Sequence, residues 1–382
     1  MDFELTEEQL MVRDMTRAYA EKELKPIASR MDHDSVYPQE QLKKLGEMGL
    51  MGVFVSEEFG GGGMDRIAYV AALEEISKAW ASLGVIMSVN NSLVCGPLAG
   101  FGTEEQKKRY LRRVASGEWL GCYALTEPGA GSDAGSIQTQ AKRIGGDYVL
   151  NGNKVFTTNG SRANLALVYA VTDPSEGKNG ISAFLVERGT PGCIVEKIED
   201  KLGLNASETA ALRFENCKVP NENLLGREGE GFRIALETLA GGRIGIAAQA
   251  LGIAQACLEA SLAYSRERKQ FGERIANFQA IQWMLADMAT EIDAARLLIY
   301  RAAWLQQQGK NVTREASMAK LFASEASNRA AYKAVQIFGG YGYIKDFPVE
   351  RFYRDARVTT LYEGTSEIQR LIIARQLLRE SP

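Results

Sequence analysis

The sequence predicts an α+β multidomain chain in which two helical domains flank a β-rich domain. Apolar residues recur at helical spacing in residues 1–118 and 229–382, whereas residues 119–228 hold short β-rich runs separated by turn dipeptides. The chain has 382 residues, of which 45% are hydrophobic and 24% charged. This is the composition of a globular protein, and the length suits two or three domains.

The first domain, residues 1–118, is predicted to be all helical. Its opening Thr6-Glu7-Glu8-Gln9 has the spacing of a capping box, which satisfies free backbone groups at the start of a helix. Four consecutive glycines at 60–63 resemble a phosphate-binding loop. No Gly-Lys-Ser/Thr follows them and no strand-to-helix pattern surrounds them, so we expect an ordinary loop.

The middle domain, residues 119–228, is predicted to be an antiparallel sandwich or barrel. Its turn dipeptides are Asn151-Gly152, Asn159-Gly160 and Asn179-Gly180. Runs typical of β-strands lie at 148–150, 165–169, 181–186, 193–195 and 211–214. Closely spaced short strands of this kind are typical of all-β domains.

The last domain, residues 229–382, is predicted to be a helical bundle. The stretches 231–265, 278–308 and 313–338 hold Ala, Leu, Ile, Glu and Arg with few helix breakers. Long helices joined by short connections pack side by side.

Charge and rare residues exclude several classes of function. The 45 basic and 48 acidic residues give a net charge of -3, so the composition predicts no nucleic-acid or membrane partner. The single histidine, His33, excludes a multi-histidine metal site. The five cysteines are odd in number and form no C-x-x-C pair, which argues against a disulfide framework or a zinc site.

The chain start predicts the compartment. Met1-Asp2-Phe3-Glu4 lacks the basic start and apolar run of a signal peptide, and no apolar stretch approaches the roughly 20 residues that cross a bilayer. We expect a cytoplasmic protein, or a mitochondrial matrix protein if the chain is a processed mature form. Free thiols suit such a reducing compartment.

Four polar or glycine-rich runs stand at the edges of apolar elements. Each alone could be a turn, because glycines also make ordinary loops. The runs are Tyr-Ala-Leu-Thr-Glu-Pro-Gly-Ala-Gly-Ser-Asp at 123–133, Arg-Lys-Gln-Phe-Gly at 268–272, Gln-Ile-Phe-Gly-Gly-Tyr-Gly at 336–342 and Tyr-Glu-Gly-Thr at 362–365. Together, and in this order, they resemble the acyl-CoA dehydrogenase family over essentially the whole chain, and the short-chain, butyryl-CoA type is most similar.

The resemblance implies a helical N-terminal domain, a β-barrel-like middle domain and a C-terminal four-helix bundle. It also implies an FAD-dependent enzyme that oxidises an acyl-CoA to the trans-2-enoyl-CoA. A base must face the weakly acidic α-hydrogen, and the β-hydrogen leaves as hydride to flavin N5. Glu363 matches the family's base; the simpler alternative is a solvated loop glutamate.

The local surroundings of Glu363 leave its pKa open. Thr365 is predicted to cap a helix over 366–378, and a helix N-terminus favours the ionised carboxylate. A dry, ligand-filled pocket would raise the pKa instead.

The implied FAD contacts are spread over the chain. They are Tyr123, Leu125, Thr126, Gly131, Ser132, Phe156, Thr157, Thr158, Arg268, Phe271, Gln279, Gln336, Ile337, Phe338, Gly339, Gly340, Thr365, Ser366 and Glu367. Phe156 stands where the family often has a stacking Trp, and Thr158 would bond near flavin N5. Arg268, Phe271, Gln279 and 336–340 match residues that reach FAD from neighbouring subunits; alternatively, Arg268 is an ordinary basic helix end.

Substrate positions also follow from the resemblance. They are Ser132, Ala240, Arg243, Tyr362 and Gly364. The family usually has an Asp where Ala240 stands, so that polar contact with CoA is lost. Instead of binding CoA, Arg243 could form a salt bridge in the protein core.

Two differences between this sequence and other family members narrow the range of acyl groups that we expect the protein to accept. Isovaleryl-type members carry their base at the position of Gly242, so that layout does not apply here. The segment 85–94 holds no Arg or Lys to meet a terminal carboxylate, which would be costly to bury unpaired. We expect a short, uncharged acyl group, with a branched or alicyclic one as the alternative.

The family also implies partners. We expect electron-transferring flavoprotein as electron acceptor and a homotetramer built as a dimer of dimers. An acyl-CoA oxidase, which passes electrons to oxygen, is the rival enzyme, and a catalytically silent scaffold is the rival of another class.

Overall fold

The computed structural model describes residues 4–379 and shows helical, β-sheet and helical domains in the predicted succession. The N-terminal helices are α1 (Glu7–Tyr19), α2 (Lys25–His33), α3 (Gln39–Glu47), α4 (Arg66–Ala79), α5 (Ala81–Ser88), α6 (Gly96–Phe101), α7 (Glu104–Gln106) and α8 (Arg112–Ala115). π-helical turns at Ala20–Leu24, Val89–Cys95 and Lys107–Leu111 join α1 to α2, α5 to α6 and α7 to α8.

Two predictions for this domain are confirmed. Thr6 Oγ1 accepts a hydrogen bond from the Gln9 N–H, and Gln9 Oε1 accepts one from the Thr6 N–H, which completes the capping box. Glycines 60–63 form a loop. A Cβ on Gly61 would overlap Val55 and the carbonyl of Gly52, so this loop is packed against its own start.

The middle domain is one eight-stranded sheet. Its strands are β1 (Gly121–Ala124), β2 (Gln140–Ile144), β3 (Asp147–Thr158), β4 (Leu165–Val171), β5 (Ile181–Glu187), β6 (Cys193–Ile198), β7 (Thr209–Val219) and β8 (Leu224–Leu225). The order is β6-β7-β3-β2-β4-β5-β8, with β1 beside β4. β1 and the start of β2 lie parallel to β4, so the sheet is mixed rather than wholly antiparallel as predicted.

One predicted turn is wrong. Asn151-Gly152 lies inside β3, where the pairing with β7 shifts register between Leu150 and Gly152. A Cβ on Gly152 would overlap Thr139, so glycine is needed here for a bulge and a close approach. Asn-Gly suits both turns and bulges, and the dipeptide alone does not separate them. Asn159-Gly160, by contrast, forms a turn directly after β3.

The centre of the sheet is buried on both faces. Leu165, Leu167 and Tyr169 of β4 join one hydrophobic cluster, while Ala166 and Val168 join another. This alternation with a period of two explains why β4 is a continuous apolar run rather than an apolar-polar alternation.

The C-terminal domain contains three long helices with the predicted bounds to within two residues. The helices are α9 (Gly231–Glu267), α10 (Gln279–Gln307), α11 (Thr313–Phe338), α12 (Val349–Arg357) and α13 (Ser366–Arg379). A hairpin of β9 (Lys269–Gln270) and β10 (Glu273–Arg274) joins α9 to α10. The largest apolar core lies where α4, α9, α10 and α11 pack together.

One expectation about membrane spans is corrected. Two helical stretches, Ala81–Phe101 and Gly231–Glu267, are long and apolar enough to cross a bilayer by length and composition. Their apolar windows are 83% and 72% buried inside the protein. Burial of that extent is characteristic of core helices, which pass the same test.

Candidate active site

The three domains meet around a cavity of about 1530 Å³. Its walls come from α5 and the π-helical turn after it, from the loop that follows β1 and the end of β3, and from α9, α13 and the turn before α13. Sites for one small molecule usually occupy roughly 300–1,000 Å³, so this cavity has room for two ligands side by side.

Glu363 lies in the turn before α13 and lines this cavity. Its backbone is left-handed, with φ of 50°, and Gly364 follows with φ of 94°. Oε2 is buried, and among the described residues it has no hydrogen-bond partner. Burial raises the pKa of Glu363 from 4.5 to about 7, against the lowering effect of Lys320 and Arg243. The effect of burial on the pKa of Glu363 therefore outweighs that of the two cations.

Gly242 of α9 makes room for this carboxyl. A Cβ on Gly242 would overlap Glu363 Oε2 and would lie 2.7 Å from the Leu93 side chain. Any larger residue at 242 would therefore push the carboxyl away from the helix.

The neighbouring acid, Glu367, is in a different environment. It is exposed, lies outside the cavity lining, and its pKa is lowered by hydrogen bonds to its own backbone N–H and to Thr365. The N-cap prediction for Thr365 agrees with the structure, since Thr365 Oγ1 accepts from the Ile368 N–H at 3.4 Å.

Arg243 points into the cavity and not into a core salt bridge. The residue is 4% exposed, and within the described residues its Nε has no hydrogen-bond partner and no carboxylate is hydrogen-bonded to its guanidinium. Burial lowers its pKa, while Glu363 and Tyr123 oppose that effect. A buried guanidinium with a free N–H is suited to bind an anionic or carbonyl oxygen.

The loop at 123–133 is held by a buried ion pair. Lys154 Nζ, on β3, donates to Glu127 Oε1 at 2.7 Å and to the Leu125 carbonyl at 3.0 Å. Glu127 also accepts the backbone N–H groups of Gln138 and Thr139. Glu127, the glutamate of the 123–133 run, therefore anchors this loop and fixes the cavity wall that the loop forms.

Most of the predicted flavin and substrate positions from the middle domain, from α9 and from the turn at 361–365 before α13, called the base turn below, line the cavity. They are Tyr123, Leu125, Thr126, Gly131, Ser132, Phe156, Thr158, Ala240, Arg243, Tyr362, Gly364 and Thr365. Three predicted positions lie outside this lining: Thr157 is 1% exposed, Ser366 is 3% exposed, and Glu367 faces solvent. Thr157 is buried because it alternates with Phe156 and Thr158 along β3.

The other predicted flavin positions form a separate group. Arg268, Ile337, Phe338, Gly339 and Gly340 line a second cavity, of about 450 Å³, near the β9–β10 hairpin. Phe271, Gln279 and Gln336 are exposed nearby. Because these residues lie outside the lining of the first cavity, one chain does not bring all predicted flavin positions together.

The predicted acyl wall is apolar. Val85, Val89 and Leu93, four residues apart, line the cavity from one helical face. Asn90 and Asn91 in the same run point the other way: Asn91 Oδ1 accepts the Val53 N–H, and Asn90 Oδ1 accepts the Gly121 N–H. The asparagines therefore fix the helix against the domain, and the valines and leucine face the ligand.

Two site residues escaped the sequence analysis. Lys320 of α11 and Gln369 of α13 are both 0% exposed and both donate to the Gly364 carbonyl. The sequence did contain a sign of Lys320. It lies on an Ala- and Ser-rich stripe of α11 that includes Ala316, Ala319 and Ala323, and a lysine on such a core-facing stripe is unusual.

The comparisons with known proteins cover the whole chain. Family models for the N-terminal, middle and C-terminal domains of acyl-CoA dehydrogenase match residues 6–118, 122–217 and 229–378. The short-chain specific mitochondrial acyl-CoA dehydrogenase of Mus musculus is 53% identical over 98% of this chain and 91% of its own. The structure of butyryl-CoA dehydrogenase from Megasphaera elsdenii is 45% identical, with a TM-score of 0.98 over 99% of this chain and 100% of that one.

A third similarity comes from a solved chain described under the electron transferring flavoprotein of Acidaminococcus fermentans and flavin-based electron bifurcation. It is 51% identical, with a TM-score of 0.98 and complete coverage of both chains. On the family models, the relatives and the geometry around Glu363, the chain belongs to the acyl-CoA dehydrogenase family.

Proposed function

We propose that this enzyme catalyses the FAD-dependent dehydrogenation of a short-chain acyl-CoA to the trans-2-enoyl-CoA, with Glu363 as the base. The observation that carries the proposal is the buried Glu363 carboxyl, with Oε2 free and its pKa raised to about 7, inside the large cavity. A base works best when its pKa lies near the working pH, because it is then both ionised and basic.

Glu363 and the residues around it have different roles toward the substrate. Glu363 removes the proton at the α-carbon, Arg243 supplies a buried N–H donor, and Val85, Val89 and Leu93 enclose the acyl chain. Oε2 of Glu363 is buried, and electrostatic contacts are stronger in a buried setting than in water.

The same cavity fits a flavin. Phe156 is 68% exposed and lines the same cavity as the hydroxyl-bearing Thr126, Ser132 and Thr158, so the cavity offers both an aromatic ring and polar groups to a flavin. When bound, FAD supplies the hydride acceptor, N5, for the β-hydrogen. Residues of the 123–132 wall would hold the flavin, and Glu363 lines the same cavity, where it would face the α-carbon of a bound acyl-CoA.

The substrate class follows from the apolar wall. No charged side chain from 85–94 faces the cavity, so a terminal carboxylate would be buried without a partner there. The two relatives named for short-chain and butyryl substrates agree with this choice. A branched or alicyclic acyl group remains the alternative substrate.

The second group of flavin positions supports a homotetramer of the dimer-of-dimers type. Arg268, Phe271 and 336–340 lie away from the first cavity, so a second chain must bring them to the flavin. Phe271 is 94% exposed and Tyr343 is 88% exposed, as expected for side chains covered on assembly. Electron-transferring flavoprotein is the proposed acceptor, and the cytoplasm or the mitochondrial matrix is the proposed compartment.

The test is rapid mixing of the oxidised enzyme with butyryl-CoA without oxygen, with flavin bleaching as the readout. We expect Glu363→Gln to slow bleaching by about 10²–10⁴-fold or more while FAD and acyl-CoA still bind, since the amide is nearly isosteric but cannot accept the proton.

Glu367→Gln is the matched control, because Glu367 lies four residues on and faces solvent. It should bleach like the wild type. Fast bleaching in Glu363→Gln combined with slow bleaching in Glu367→Gln would move the base to Glu367. Turnover with oxygen as fast as with the flavoprotein acceptor would identify an oxidase instead.

A further inference from the structure

Lys320 is a buried lysine that bonds the residue after the proposed base. It sits on α11, is 0% exposed, and its Nζ donates to the Gly364 carbonyl at 2.8 Å. Among the described residues, no carboxylate is hydrogen-bonded to Nζ, and Glu363, Glu325 and Glu367 act on it through charge alone. Burying a lysine this way is costly, and burial lowers its pKa to about 8. A cost of this kind points to a role beyond packing.

The Gly364 carbonyl is the fixed point of the base turn. Gln369 Nε2 donates to it at 2.9 Å and to the Glu363 carbonyl at 3.1 Å, so two fully buried side chains hold adjacent peptide groups. Left-handed backbone at a non-glycine residue is strained by roughly 1–3 kcal/mol and persists only where its surroundings impose it. Lys320 and Gln369 are the buried side chains that bond the carbonyls of this turn.

Lys320 also supplies the leading favourable charge for the Glu363 carboxyl, ahead of Arg243. Charged and titratable groups face this carboxyl from every element around it. They are Lys320 on α11, Arg243 on α9, Tyr69 on α4, Tyr123 on β1 and Tyr362 in the base turn. The tyrosines stay neutral near pH 7 because burial raises their pKa values, so the two cations set the charge balance.

We propose that Lys320 is a positioning residue for Glu363, whose Nζ fixes the base turn through the Gly364 carbonyl and whose charge keeps the carboxyl available in its ionised form. This inference rests on the proposed function of Glu363. Lys320 lies outside the cavity lining, so it acts through Glu363 and not by touching the substrate.

The two roles are separable with two substitutions. Lys320→Gln keeps a donor near the carbonyl but removes the charge, and Lys320→Met removes both. Lys333→Met is the matched control, since Lys333 lies on the same helix and its Nζ bonds Asp287 on α10 at 2.9 Å. Each variant is prepared as the flavin-loaded enzyme, and the anaerobic bleaching rate is measured against pH.

We expect the pH profile of Lys320→Gln to move upward by about one pH unit, which means roughly tenfold slower bleaching below the midpoint and near wild-type rates at high pH. Lys320→Met should show the same displacement and, in addition, a lower plateau at high pH, because the turn is no longer fixed. Lys333→Met should keep the wild-type profile.

A wild-type pH profile in folded, flavin-loaded Lys320→Gln would overturn the proposal, even if Lys320→Met fails to fold. A role in stability alone would lower the melting temperature or the flavin content without moving the profile. Failure of the proposed function gives a different result, since Glu363→Gln would then bleach normally and the Lys320 variants would report on another base.

Discussion

The raised pKa of Glu363 makes the proposed base a source of instability, and this predicts a stability gain when it is replaced. The pKa is about 7 in the folded chain against 4.5 as the ordinary value. The folded state therefore holds the proton more tightly than the unfolded state. Its contribution to stability is fully present below pH 4.5 and is lost as pH rises through about 7.

The magnitude follows from the two values. At about 1.4 kcal/mol per pKa unit, the difference corresponds to about 3 kcal/mol above pH 7. Glu363→Gln removes this penalty, but Lys320 and Arg243 lose a counter-charge, so about 3 kcal/mol is an upper bound. Removing the proposed base should make the protein more stable at pH 8 and change little near pH 4.5.

The assay is thermal unfolding of wild type and Glu363→Gln, as purified, at pH 5 and pH 8. We expect the melting temperature of the variant to exceed that of the wild type at pH 8 and the excess to shrink at pH 5. Glu367→Gln is the control, because that carboxyl is exposed and should show no such gain. A difference between Glu363→Gln and wild type that does not change with pH would refute the buried, proton-holding carboxyl.

Two further predictions follow from packing. Gly242→Ala should slow flavin bleaching at least tenfold, because its Cβ overlaps Glu363 Oε2, and a misplacement of about 1 Å can cost 10²-fold. Gly241→Ala, whose Cβ meets only Gln306 Nε2 at 3.3 Å, should bleach normally; equal rates in the two variants would contradict the crowding argument. Lys154→Met should destabilise the enzyme by about 3–5 kcal/mol in urea unfolding, because Glu127 is left buried and unpaired. Lys197→Met, which breaks the exposed pair with Glu199, should cost about 1 kcal/mol or less, and similar losses in both would contradict the anchor.

The sequence predicts what depends on local pattern. The capping box at Thr6, the three long C-terminal helices and five of the eight middle-domain strands follow from local pattern and are confirmed, whereas β1, β2 and β8 were not predicted. The misread Asn151-Gly152 shows the limit of this reasoning. A dipeptide that suits both a turn and a bulge is decided by its partner strand, β7, which lies far along the chain.

The candidate site is predictable only in part. The motif runs place Glu363 and the 123–133 wall, since each run is contiguous. Gly242, Lys320 and Gln369 contact the base turn because of how α9, α11 and α13 pack. No local sequence pattern shows how close these helices come to the turn. The pKa of Glu363 was undecidable for the same reason, because helix terminus and burial act in opposite directions and only the packing gives their sizes.

Glu127 and Glu363 show why the position of a lysine matters more than its presence. Burial raises the pKa of Glu363 to about 7, whereas at Glu127 the direct bonds from Lys154, Thr139 and Gln138 overcome burial and lower the pKa. Both lysines are buried, with pKa values lowered to about 8. Lys154 donates to the carboxylate itself, so Glu127 stays ionised, is a weak base and serves as a structural anchor. Lys320 donates to the carbonyl of the next residue, so it holds the turn and lends its charge while leaving the oxygens of Glu363 free to take a proton.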